Sequence, residues 1–153
     1  MTLDSYDLYA LAGERSYEVV KRFRDRWLTS LEPSAEEYEF PRYSDRPDAV
    51  YRSPWELIDR LLAAPEQPHS LYWSNRGPGG ELHAMLFFTT DRGLIAGLTV
   101  ETDDPARAAT TLRKLAQSVD ARYAYAAGEQ PPPDTTSEFK AIARTAEIQL
   151  LPT

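Results

Sequence analysis

Cysteine is absent from all 153 residues. Disulfides, thiolate metal sites and thiol nucleophiles are thereby excluded, and the usage fits a reducing compartment. Histidine occurs only as His69 and His83. A zinc site needs more nitrogen or sulfur ligands, or carboxylates at set spacing, and no such cluster is visible. No metal or other cofactor is expected. No apolar run approaches the roughly 18–20 residues needed to span a bilayer. The opening stretch Met1-Thr2-Leu3-Asp4-Ser5-Tyr6-Asp7 carries acids where a signal peptide would be basic. The expectation is therefore a cytoplasmic protein with no membrane association.

Two catalytic motifs are missing as well. No G-x-S-x-G occurs, so no nucleophile elbow is indicated. The one glycine-rich stretch, Gly77-Pro78-Gly79-Gly80, lies between two predicted strands. A phosphate loop must run from a strand into a helix, whose N-terminal amides converge on the anion. This stretch reads as a hairpin turn.

Basic residues are in deficit. The formal net charge is −7, a surface that repels phosphate backbones and disfavours nucleic acid as a partner. The same charge suits a basic partner, or serves only solubility. A chain of this length suits one domain spanning residues 1–153 and able to bury a sizeable core.

Hydrophobic periodicity divides the chain into alternating strands and helices. Residues 6–12 form an apolar run ended by Gly13, a predicted strand. Ser16 can cap a helix in which Tyr17, Val20, Phe23, Trp27 and Leu31 share one face. In Ser53-Pro54-Trp55-Glu56, Ser53 is a predicted N-cap, Pro54 a first helical residue and Glu56 the capping-box partner. Trp55, Ile58, Leu61 and Leu62 then form the predicted buried stripe. Strands follow at residues 71–73, 82–90 and 94–101, the last two joined by the tight turn Asp91-Arg92-Gly93. The middle strand carries Leu82, Ala84, Leu86 and Phe88 on one face and Met85 and Phe87 on the other, so it is expected inside a sheet. Asp104-Pro105 opens a helix with Ala108, Leu112, Leu115 and Val119 inward. A strand at 122–126, the stiff Pro131-Pro132-Pro133, a helix capped from Thr135 around Phe139 and Ile142, and a strand at 148–151 complete the chain. Consecutive hairpins with interspersed helices predict an α+β fold, a mainly antiparallel sheet with helices packed on it.

Residues 32–53 break this regularity. Glu32, Glu36, Glu37, Glu39, Asp45 and Asp48 outnumber Arg42, Arg46 and Arg52, and Pro41 and Pro47 oppose regular structure. Tyr38, Phe40, Tyr43, Val50 and Tyr51 are too many anchors for a free linker, so an ordered acidic loop is expected. It reads as a solvated surface, as a partner-binding loop or, least directly, as a source of paired carboxylates for glycoside chemistry. As a partner surface its candidates are Glu36, Glu37, Tyr38, Glu39, Phe40, Tyr43, Asp45 and Asp48. No catalytic residue is assigned. His83, separated from Glu81 by one position, could join it in a dyad, but a structural hydrogen bond at a strand end is the plainer reading. Tyr72, Trp73 and Asn75 read as core packing or as a ligand face.

Three stretches, Trp55-Glu56-Leu57-Ile58, Leu71-Tyr72-Trp73-Ser74-Asn75 and the eleven-residue run from Phe88 to Leu98, fall in a helix–strand–turn–strand–turn–strand pattern. That pattern resembles the small bacterial immunity proteins of polymorphic toxin systems, which are of similar size, cysteine-poor and often acidic. The resemblance covers about a third of the chain and transfers no binding residue. It implies a non-enzymatic protein that binds a cognate, basic toxin domain. The alternative is a small-molecule-binding or enzymatic domain with a pocket over the sheet near Tyr72, Trp73, His83 and Met85. A third reading is a module that forms a homodimer through an exposed sheet face.

Overall fold

The computed structural model describes residues 4–75 and 82–153. In chain order the elements are β1 (Tyr6–Leu11), α1 (Tyr17–Trp27), β2 (Glu32–Pro33), β3 (Tyr38–Phe40), β4 (Ala49–Tyr51), α2 (Pro54–Ala63), β5 (His69–Ser74), β6 (Leu82–Phe88), β7 (Leu94–Val100), α3 (Pro105–Ser118), β8 (Tyr123–Ala127), α4 (Thr136–Thr145) and β9 (Gln149–Leu150). Seven strands form one sheet in the order β2-β5-β6-β7-β1-β8-β9, and β3 with β4 forms a separate hairpin. Every strand pairing in both sheets is antiparallel. The expected α+β architecture is the one observed.

Local sequence explains the helix starts. Ser53, Asp104 and Thr135 each accept a backbone N–H of the first turn, and Pro54 and Pro105 occupy positions whose amides would be unpaired anyway. Ser16 caps α1 by accepting from Val19. The expected stripes need correction at four places. Tyr17 stands 53% exposed and Val19 is buried in its stead. Helix α1 ends at Trp27, so Leu31 reaches the core from the connection that follows. Leu57 joins Ile58 and Leu61 in the buried stripe of α2, while Trp55 and Leu62, at its borders, are only partly buried against the same core. Ile142 is exposed, while Phe139 and Ala143 carry the burial of α4.

The sheet separates two apolar clusters. On the first face, Leu8, Trp73, Ala84, Leu86 and Leu98 pack with residues of α1, α2 and α3. On the second face, Tyr9, Leu11, Met85, Ile95 and Tyr125 pack with Phe139 and Ala143 of α4. Gly97 lies between Tyr9 and Met85 in the sheet register. A Cβ there would meet the Met85 methyl at 3.1 Å and the Tyr9 ring at 3.2 Å, so the glycine lets both large side chains lie flat. As expected, β6 is an interior strand, apolar on both faces. Among the described residues no helix is long and apolar enough to cross a membrane. The Gly77–Gly80 turn and Glu81 lie outside the described residues.

Candidate functional site

The acidic stretch is more ordered than a loop. Alternation in Tyr38-Glu39-Phe40 sends Tyr38 and Phe40 inward and Glu39 outward, and β4 pairs Tyr51 with Tyr38 and Ala49 with Phe40. The Asp48 amide donates to the Phe40 carbonyl at 2.8 Å and closes the hairpin. Phe40 is buried with the Arg60 guanidinium of α2 lying 4.7 Å over its ring. Two strands this short could not stand alone in water; the hairpin persists because its inner face joins the main core.

Its second attachment is His69, at the start of β5. The imidazole is buried. Nδ1 accepts the Ser70 amide at 2.9 Å, and Nε2 lies 2.8 Å from the Glu39 carbonyl. A nitrogen that accepts from an amide carries no proton, so Nε2–H is the donor to Glu39. The ring thus covers the edge of β5 and ties it to β3. A third tie joins Arg42 to Asp134 at 3.7 Å, beyond the proline run.

Between the hairpin and the second face of β5 runs a groove of about 290 Å³, lined by residues that include Ser34, Glu37, Tyr38, Arg42, Tyr43 and Tyr72. Tyr43 is 84% exposed and Tyr72 is 47% exposed. Tyr72 meets Phe87 edge-on at 5.8 Å. Tyr43 has φ 58°, a left-handed conformation that costs a bulky residue strain. The Arg42 guanidinium lies 5.1 Å over its ring. The Tyr38 hydroxyl is buried with no hydrogen-bond partner among the described residues, and burial raises its pKa above the ordinary phenol value.

The eight residues predicted as a partner surface therefore divide. Glu36, Glu37, Glu39, Tyr43, Asp45 and Asp48 are exposed. Their five carboxylates make no ion pair or hydrogen bond among the described residues. Tyr38 and Phe40 are buried in the chain's own core and form no part of an outer surface, because strand alternation leaves only Glu39 between them facing out. The sequence did not single out His69 or Ser34, and it gave Tyr72 no link to the acidic stretch. The juxtaposition depends on a contact across 30 residues, between His69 and Glu39, that leaves no local pattern.

Tyr72 and Trp73 lie on opposite faces of β5, so the expected pocket near Tyr72, Trp73 and His83 is divided by the sheet. Trp73 is core. On the second face, register aligns Ser74, His83, Thr99 and Asp7 in one row beside the row of Tyr72 and Met85. Thr99 donates its hydroxyl to Asp7 at 2.8 Å. Burial nonetheless lifts the Asp7 carboxyl above the usual range, the Thr99 bond opposing it. Among the described residues no group of three or more histidine, aspartate or glutamate side chains could hold a metal ion.

Compared with family models, with curated proteins and with solved structures, the chain matches none.

Proposed function

We propose that this protein is a non-enzymatic binding protein of the immunity type, which neutralises a basic toxin domain by covering it with the acidic hairpin. One observation carries the reading: Tyr43 is almost fully exposed in a strained backbone conformation, in a stretch whose five carboxylates have no partner among the described residues. Strain and an exposed ring both oppose stability, and an outlier of that kind points to function. Unpaired charges at a rim steer encounter, while an aromatic buried on binding governs escape.

The test uses the toxin domain encoded beside this chain's gene. Co-expression protects the host, and reversing the charge of Glu36 and Glu37 slows association in a salt-dependent way. Tyr43→Ala speeds dissociation. No neighbouring toxin and no protection on co-expression would sink the reading.

The second reading is a small-molecule site on the open part of the second sheet face. The polar row Ser74, His83, Thr99 and Asp7 beside exposed Tyr72 favours it. A ligand that raises the melting temperature of the native chain but not of His83→Ala would establish it in place of the first.

A further inference from the structure

A basic partner surface offers both lysine and arginine, and the groove discriminates between them. We infer that the groove between the hairpin and β5 is a seat for an arginine side chain of the partner; this rests on the protein-binding reading above and names its central contact. Two features converge there. First, two exposed tyrosine rings, Tyr43 and Tyr72, line the same groove. Aromatic faces attract cations, and a planar guanidinium stacks on them better than an ammonium does. Second, the Glu37 carboxylate lines the groove and makes no ion pair or hydrogen bond among the described residues. A carboxylate is the natural fork partner of a guanidinium. Guanidinium has five N–H donors in a fixed fork, so it can bind Glu37 while its plane rests on a ring.

The protein already holds such a contact. Arg42 lies 5.1 Å over the Tyr43 ring and turns its charge toward Asp134, 3.7 Å away. Arg42 also bounds the seat with positive charge, so it opposes a second cation and sharpens the demand for one with stacking and hydrogen-bonding capacity.

The experiment titrates the full chain with a labelled oligo-arginine peptide and with an oligo-lysine peptide of equal length, followed by fluorescence anisotropy. Oligo-arginine binds more tightly. Tyr43→Ala and Tyr72→Ala each weaken it about two- to fivefold, the range of a cation–aromatic contact near a surface. Arg42→Gln tightens it. Tyr72→Phe retains the ring where Tyr72→Ala perturbs folding, and it keeps oligo-arginine affinity. Equal affinity for the two peptides, indifference to the tyrosine variants, or absence of binding at low salt overturns the arginine seat. Toxin binding that depends on Tyr43 alongside any of those results would leave the protein-binding reading standing and remove only this one.

Discussion

His69 and Glu39 are joined across the gap between the sheet and the hairpin, with Nε2 of the imidazole 2.8 Å from the Glu39 carbonyl. The other ring nitrogen accepts the Ser70 amide, so one side chain satisfies two backbone groups. His69→Phe keeps much of the volume and removes both bonds. The expected loss is about 1–3 kcal/mol, the cost of buried polar groups left unpaired. Denaturant midpoints measure it, and proteolysis between Pro41 and Pro47 should accelerate as the hairpin loosens. A midpoint equal to wild type would show that the hairpin is held by Tyr38 and Phe40 alone.

Arg15 is predicted to be the least replaceable surface-connected cation. Its guanidinium donates to the carbonyls of Leu61 at 2.8 Å, Gln67 at 2.9 Å, and Ala64 and Thr89 at 3.1 Å, tying the end of α2 to the turn after β6. It also lies 4.9 Å over the Phe88 ring. Burial pushes its pKa down to about 10, so it remains charged at neutral pH and complements the carbonyls at the helix C-terminus. Arg15→Met should cost about 1.5–3 kcal/mol, the scale of hydrogen bonds from a charged donor. Arg15→Lys should recover little, because one ammonium cannot span four carbonyls. Full recovery in thermal melts would contradict the clamp.

Leu86 and Trp55 should rank in a definite order. Leu86 is fully buried in the first cluster, and Leu86→Ala is expected to cost about 2–5 kcal/mol. Trp55 is only partly buried, 5.9 Å from Trp73 and capped by Arg24 at 5.6 Å. Trp55→Ala should cost less than Leu86→Ala in the same denaturant series. The reverse order would mean that the outer side of α2 is better packed than its burial indicates.

Asp91 gives the stability an acid-side dependence. Partial burial pulls its carboxyl upward, but the Thr136 amide at 3.0 Å and the Thr136 and Thr89 hydroxyls outweigh that and hold it below the usual value. A folded pKa below the unfolded one contributes stability above the unfolded pKa, near 3.8, and loses it as pH falls through the folded value. Melting curves of Asp91→Asn should therefore converge with wild type once the pH has fallen through the folded value, and fall beneath it at neutral pH. Because the group is largely exposed, the separation should be small. Parallel curves over the whole range would remove Asp91 from the account.

Tyr43 should be dispensable to the fold. Tyr43→Ala is expected to change stability by no more than about 0.5 kcal/mol, as for other surface positions. Tyr43→Asn, which accepts left-handed backbone more readily, should match or slightly exceed wild type. A marked loss in either melt would make Tyr43 a structural anchor and withdraw the observation on which the proposed function stands.

Much of the architecture is legible because its causes are local. Ser53-Pro54, Asp104-Pro105 and Thr135 announce helices through bonds within one turn. The apolar alternation of β6 declares an interior strand without knowledge of its neighbours. What periodicity misjudges are residues at the border of a stripe. Tyr17 and Val19 both lie near the inward face of α1, and only the position of the sheet decides that Val19 is buried and Tyr17 is not.

The acidic hairpin marks the same boundary more sharply. Composition alone determined that residues 32–53 would be ordered, negatively charged and rich in aromatics. Tertiary structure decided that Tyr38 and Phe40 face the core, that Tyr43 faces solvent, and that Tyr72 stands beside it. The reason is that hydrophobic burial is non-directional. Three aromatic side chains in six positions are equally fit for the interior. Strand alternation, the backbone at Tyr43 and the distant bond from His69 to Glu39 choose between them.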